Sequence, residues 1–277
     1  MIIHTEATVL QIRPWSQTSH MVTWLTPDYG RIVTAVKGAC RPKSAFLGQY
    51  DLFYTCDLLF YRRERDGIHA IRECSPSTLR EPLRRCWRSA AAAAYLSDLT
   101  ARVTASHQES AAVYHLLNRT LDALPSAPRH DLKELVLRYE VNLLAKLGLK
   151  PNLALCPHCH TPDRQWLRFS LPSGRFACPH LAGAASGERT VALHRDIRQI
   201  FLNMLDRLPD TADGGILPCA ETDKNRPPPN LLLGLSRFLG MFITFHLEVP
   251  PAVRRVAFEL LDKNPTRETV SLETSSP

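Results

Sequence analysis

An α+β fold is the class this sequence predicts: a small N-terminal β-barrel, then a helical domain into which a metal-knuckle module is inserted. Three observations carry the prediction. The first eighty residues break into five short β-prone runs separated by turn residues. Beyond residue 81, long stretches free of Pro and Gly show helical spacing instead. Cys156-Pro157-His158-Cys159 is followed after 18 residues by Cys178-Pro179-His180, two ligand knuckles that can close on one ion. At 277 residues the chain can hold two or three such units around a sizeable core.

The barrel is read over residues 1–80. His4 to Ile12 mixes β-branched and polar residues and makes a first strand, and His20 to Thr26 alternates cleanly. Pro27-Asp28-Tyr29-Gly30 is a turn, after which Arg31 to Lys37 returns as the third strand. Asp51 to Tyr61 is a long fourth strand, Arg62 to Gly67 a polar turn, and Ile68 to Cys74 the fifth. Five short strands in this length fit a closed barrel of the OB type, an architecture that binds single strands in a basic, aromatic-lined groove. The loop Lys37-Gly38-Ala39-Cys40-Arg41-Pro42-Lys43-Ser44 suits that role. In an extended backbone Lys37, Arg41 and Lys43 would follow successive phosphates, and Ser44 could donate to an oxygen. Trp15, Trp24, Tyr29 and Tyr54 are candidate stacking platforms, set against the plainer reading that aromatics in so small a barrel are core.

Residues 81–150 form the first part of the helical domain. Leu83 to Val103 is a strong helix former throughout, and Ser110 to Leu124 and Asp131 to Leu147 are amphipathic, with Asp131 as N-cap and Gly148 as stop. Residues 151–190 are the knuckle module. Trp166 to Leu171 and Pro172 to Ala177 read as two short strands joined by a Pro/Gly turn, a hairpin that carries the second knuckle back to the first. Cys156, Cys159 and Cys178 are three zinc ligands; Leu181 occupies the place of a fourth Cys, so His180 is chosen, with His158, His160 and His194 as substitutes. A site with four protein ligands is structural, not catalytic. The alternative is a loop of reduced thiols that holds no metal. Residues 191–260 supply the second helical part, with helices over Leu193 to Leu208 and Asn230 to Leu247; Pro209 to Pro229 reads as a mobile loop and 261–277 as a disordered tail.

Charge and motif content narrow the function classes. The formal charge is +7, and the excess lies in the first half: residues 1–150 hold 20 Lys and Arg against 14 Asp and Glu, the remainder 14 against 13. That favours an acidic partner without naming one. The apolar run Leu231 to Val249 contains Ser236, Arg237, His246 and Glu248, and its Leu232, Leu235, Leu239 and Phe242 recur at helical spacing. It reads as a packed helix, not a membrane span. No secretory leader opens the chain and the other cysteines lack framework spacing, so a reducing cytosol is expected. Neither a phosphate-binding Gly-x-x-x-x-Gly-Lys loop, a nucleophile elbow nor a His-Glu-x-x-His pair occurs.

Several of these segments, in order, resemble one family. Thr5-Glu6-Ala7, Thr26-Pro27-Asp28-Tyr29-Gly30-Arg31, Val36-Lys37-Gly38-Ala39 through Lys43-Ser44 and Leu47 to Leu52 are similar to the amino-terminal OB domain of RecO, the bacterial recombination mediator. Leu137 to Leu144 and Leu147-Gly148-Leu149-Lys150-Pro151 resemble the helix before that family's zinc module, and the knuckles follow in the same order. One departure is that zinc-bearing members carry two Cys-x-x-Cys pairs, where this chain has Cys178-Pro179-His180-Leu181. The resemblance implies a non-enzymatic protein that binds single- and double-stranded DNA, anneals strands and helps load recombinase where single-strand-binding protein coats them. Arg31, Lys37, Arg41, Lys43 and Ser44 are then the candidate DNA-binding residues. It also implies RecR and the acidic, aromatic-ended tail of single-strand-binding protein as partners, and a cytoplasmic, nucleoid-associated location. For that tail, the helix from Asp131 to Lys150 offers Leu135, Leu143, Leu144 and Leu147 as walls with Arg138 and Lys146 beside them. The competing class is a zinc-containing nucleic-acid-processing enzyme whose barrel delivers substrate; annealing that needs no nucleotide and leaves strands unchanged separates the two.

Overall fold

The computed structural model describes residues 1–63, 67–106, 108–155, 165–177, 189–205 and 227–263. Five strands, β1 (Ile2–Ser16), β2 (Ser19–Thr26), β3 (Gly30–Val36), β4 (Thr55–Tyr61) and β5 (Ile68–Thr78), close into a barrel in the order β1-β2-β3-β5-β4. β1 is long enough to pair with both β2 and β4 and so seals the barrel, bending at bulges between Val9 and Gln11 and between Pro14 and Ser16. Val9, Val22, Trp24, Ile32, Leu58 and Phe60 fill the interior. Trp24 is fully enclosed, and its indole Nε1 donates to Thr34 Oγ1 at 2.9 Å, so the buried polar end is satisfied. β4 starts at Thr55, not at Asp51 as read above. Tyr54 N donates to Asp51 O and Phe53 adopts a left-handed φ of 70°, a turn that alternation cannot reveal.

The helical part begins with a break. The predicted single helix over Leu83 to Val103 is divided at Cys86, which is extended (φ −124°, ψ 108°), into α1 (Pro82–Arg85) and α2 (Trp87–Val103). Arg84 is drawn to Asp51 at 2.6 Å and lies over the Tyr54 ring, so contact with the barrel overrides local propensity. α3 (Ala111–Ala123) and α4 (Leu132–Lys146) lie as read. Asp131, however, makes no side-chain cap: it is already in helical conformation, with its buried carboxylate 3.4 Å from His130. Gly148 does end α4, with φ +72° and a Leu149 N to Leu144 O hydrogen bond closing the turn.

A three-stranded sheet, β7-β6-β8, follows. β6 (Trp166–Ser170) and β7 (Arg175–Phe176) are the expected hairpin. β8 (Thr190–His194) was not foreseen; it takes Leu193 and His194 from the predicted helix, because they pair with Leu167 and Trp166. α5 (Arg195–Leu205) starts after it, α6 (Pro229–Leu247) comes next, and α7 (Pro251–Asp262) closes the fold. α6 has the length and hydropathy of a membrane span. Its Leu235, Phe238, Leu239, Phe242 and Ile243 are nonetheless buried, with the Phe238 ring 5.0 Å from Phe169 of β6. α7 was missed and includes two residues assigned to the tail, Leu261 and Asp262: Pro250-Pro251 opens a helix, since Pro at the first helical position loses no bond. Glu140 of α4, with no exposed side-chain surface, accepts from Arg254 Nε at 2.7 Å and Nη2 at 2.8 Å and from the Tyr95 hydroxyl, tying α2, α4 and α7 together.

Barrel and helices share a polar seam. Arg80 Nη1 donates to Phe53 O at 2.6 Å, Nη2 to Asn118 Oδ1 at 2.9 Å, and Nε to Asp122 Oδ1 at 2.6 Å; Thr8 donates to the same Asn118 oxygen. At the tip of the β2–β3 hairpin, Ser110 N donates to Pro27 O and Arg31 N to Ala105 O. Gly30, at φ +59°, is pressed so close there that a Cβ would stand 2.4 Å from Gln108 O and 2.6 Å from Ala105 O.

Candidate nucleic-acid interface

After β3 the chain reverses at Gly38, whose left-handed φ of 69° lets the Arg41 side chain fold back over it. The loop is not extended, as its alternating cations suggested. Successive bonds from Arg41 N to Gly38 O, Ser44 N to Arg41 O, Leu47 N to Ser44 O and Gln49 N to Phe46 O wind it into consecutive turns. Ser19 Oγ accepts from Gly38 N and Thr18 O from Cys40 N, so the loop is fastened to the β1–β2 turn. That juxtaposition sets Lys37 and Arg41 beside Trp15, which is 51% exposed.

Two adjoining cavities open around Trp15. One, of about 480 Å³, is lined by Trp15, Ser16, Ser19, Lys37, Gly38 and Arg41. The other, of about 380 Å³, runs from Trp15 and Lys37 past Phe46, Ile68 and Ile71 to Arg63. No carboxylate lines either among the described residues. The pair offers flat apolar surface with cations on the rim, which is what a nucleobase and its flanking phosphates require. Arg63 and Phe46 were missed by sequence reasoning; the Arg62-Arg63 pair directly after β4 was the available signal.

The other predicted residues separate. Arg31 lies six residues up β3, about 20 Å away by strand rise, with its guanidinium donating to Thr104 O and Ser106 Oγ. Lys43 is exposed but lines neither cavity, and Ser44 Oγ accepts from Phe46 N within the loop. Trp24 and Tyr54 are core, and Tyr29 stands edge-on against Phe60. On the inner side of the loop, Tyr50 OH lies 2.8 Å from His20 Nδ1, and burial pushes the Tyr50 phenol well up, so it stays protonated.

Among the described residues, the tail pocket expected on α4 is not seen. Leu135, Leu143 and Leu144 are 1%, 1% and 0% exposed, hence core and not groove walls. Arg138 is itself mostly buried and donates to Glu134 at 2.6 Å, while Lys146 lines a separate cavity with Leu147 and Val103. The metal candidates Cys156, Cys159, Cys178 and His180 lie outside the described residues, as do the substitutes His158 and His160. His194 pairs in β8 against Trp166. Among the described residues no group of three or more His, Cys, Asp or Glu could hold an ion.

Two family models and several curated relatives match this chain. The family model described as Recombination protein O N terminal matches residues 1–80, and that described as Recombination protein O C terminal matches residues 85–211. The DNA repair protein RecO of Alkaliphilus metalliredigens is 31% identical over 187 residues, 67% of this chain and 74% of the relative. The chain belongs to the RecO family. RecO proteins of Moorella thermoacetica, 27% identical over 69% of this chain and 70% of theirs, and of Dehalococcoides mccartyi, 26% identical over 74% and 81%, match as well. In RecO terms, the first family segment ends at the seam residue Arg80, and the Trp15 rim lies wholly within it.

Proposed function

We propose that this RecO-family chain is a recombination mediator that binds single-stranded DNA at the barrel rim, anneals complementary strands and assists recombinase loading on strands coated by single-strand-binding protein. The observation that carries the reading is the Trp15 surface flanked by Lys37, Arg41 and Arg63 with no carboxylate among the described lining residues. A duplex keeps its base faces stacked, whereas a single strand can lay one on an exposed indole. Bringing two strands together needs only that their phosphate repulsion be screened, which cations do without nucleotide or bond cleavage. Double-stranded DNA would meet the same cations without the stacking. Partnership with RecR and with the acidic tail of single-strand-binding protein, and work at the nucleoid in the cytoplasm, belong to the same proposal.

Replacing Lys37, Arg41 and Arg63 together with Ala should make the negative slope of log affinity against log salt shallower by about 2, at roughly 0.7 per single-strand phosphate contact. Arg31→Ala should leave that slope unchanged. An unaltered slope in the triple variant removes the rim from the strand path.

A structural zinc in the knuckle module is part of the proposal. The parallel bridge between Asn152 and Arg175, with Asn152 N donating to Gly174 O at 2.8 Å, sets side by side the two stems that lead into the knuckles. Cys156 follows Asn152 by four residues and Cys178 follows Arg175 by three, so the chain order suits a shared ion held by Cys156, Cys159, Cys178 and His180. Bound there, zinc would contribute folding free energy and no chemistry. Metal analysis of protein purified without chelator should find one zinc per chain, and Cys159→Ser should lose both the zinc and thermal stability; a metal-free parent removes zinc from the reading.

A further inference from the structure

Cys40 is the exposed thiol among the described cysteines, and it does not stand alone. Its Sγ lies 3.3 Å from His20 Nε2, and the other nitrogen of that ring lies 2.8 Å from the Tyr50 hydroxyl. The backbone fixes the arrangement, because Cys40 N is held by Thr18 O and Tyr50 packs its ring on Trp24 and edge-on to His20. Nucleophile, base and an orienting third group within hydrogen-bond reach is the constellation that activates a side chain for covalent chemistry. The other described thiols lack it. Cys56 and Cys74 point to Gln49 O, and Cys86, whose thiol is held below its usual range by Ser89, is bonded to no imidazole among the described residues.

We propose that Cys40 is a modification site that takes a small anionic disulfide of the glutathione class, with His20 as its base, and that the adduct closes the strand-binding rim. The consequence rests on the strand-binding reading; the chemistry does not. With the ring proton on Nδ1 and given to the Tyr50 oxygen, Nε2 takes the thiol proton as Sγ attacks one sulfur of the reagent. The Sγ–S bond forms, the reagent's S–S bond breaks, and the departing thiolate recovers the proton from His20. Cys40 is thereby oxidised to a mixed disulfide and half of the reagent is reduced to thiol, with no further oxidant. Arg41, the next residue, and Lys37, three residues before, attract the anionic reagent and then stand near the carboxylates it leaves behind.

The test treats the reduced full chain with glutathione disulfide and follows each cysteine by peptide mapping. Cys40 should gain the adduct ahead of Cys86, and His20→Gln should slow Cys40 on the order of tenfold while leaving Cys86 alone. Tyr50→Phe, which keeps the packed ring, should reproduce part of that slowing. Modified protein should bind a labelled single-stranded oligonucleotide about tenfold more weakly; dithiothreitol should restore the affinity, and Cys40→Ser should be insensitive to the reagent. Equal Cys40 rates in parent, His20→Gln and Tyr50→Phe overturn the proposal, as does an adduct that leaves strand affinity unchanged. The strand-binding reading fails on a different measurement, a reduced Lys37→Ala/Arg41→Ala protein that binds as tightly as the parent.

Discussion

Trp15 and Trp24 are nine residues apart, chemically identical, and sent to opposite roles by the bulges of β1. Strict alternation from Ile3 through Thr5, Ala7 and Val9 would send Trp15 into the barrel. The bulge between Val9 and Gln11 reverses the phase, so Ile12 turns inward opposite Val22, while Trp15 falls within the second bulge, between Pro14 and Ser16, and is exposed. Trp24, opposite Val9, stays inside. Trp24→Ala should therefore cost about 3–5 kcal/mol of stability in denaturant titrations. Trp15→Ala should leave stability within about 0.5 kcal/mol while weakening single-strand binding by about 1–3 kcal/mol. Four aromatics were legible as candidates in the sequence, but the bulges that set Trp15 apart from the core are a backbone event without a residue-type signature.

At the scale of elements, local pattern located most helices and all five barrel strands, and failed where a distant partner decided. Cys86 breaks a run of strong helix formers because Arg84 answers to Asp51, 33 positions away. Arg138 carried the right charge for an acidic ligand, yet Glu134 one turn earlier already holds it. The pairing of Glu140 with Arg254 spans 114 residues, beyond any spacing rule, and it anchors the helix the sequence reading missed. Arg254→Ala would strand a wholly buried carboxylate and should cost about 3–5 kcal/mol by urea unfolding. Gly148→Ala offers a contrast: no atom lies within 4 Å of the added Cβ, so only the left-handed backbone resists. About 1–2 kcal/mol is expected from that conformation alone, measured by the same titration.

For the whole molecule, the order barrel, helices, hairpin, helices could be read from composition and turn chemistry, whereas the way the barrel is bolted to the helices could not. Arg80 looks like any basic residue in a linker, yet its side chain is 5% exposed and reaches both parts. Seam bonds also run from Gln11 to Asp98 and from Tyr114 to Glu6. In a Trp87→Phe/Trp166→Phe background, where Trp15 and Trp24 report on the barrel, thermal melts followed by tryptophan fluorescence and by helical circular dichroism should therefore coincide. Arg80→Ala should lower stability by about 2–3 kcal/mol, the worth of its charged hydrogen bonds, and pull the two transitions apart. Coincident melts in that variant would show that the apolar contacts suffice to couple the two parts.

The close fit at Gly30 has a consequence for how the protein is made. Synthesis is vectorial, and N-terminal units fold as they emerge from the ribosome. All five barrel strands are complete by Thr78, but the tip of the β2–β3 hairpin finds its last partners in Ala105, Ser106 and Ser110. A nascent chain with residue 110 still inside the exit tunnel has the strands without their clasp. Proteases should cut such arrested chains at Asp28 to Arg31, and spare chains only a few dozen residues longer.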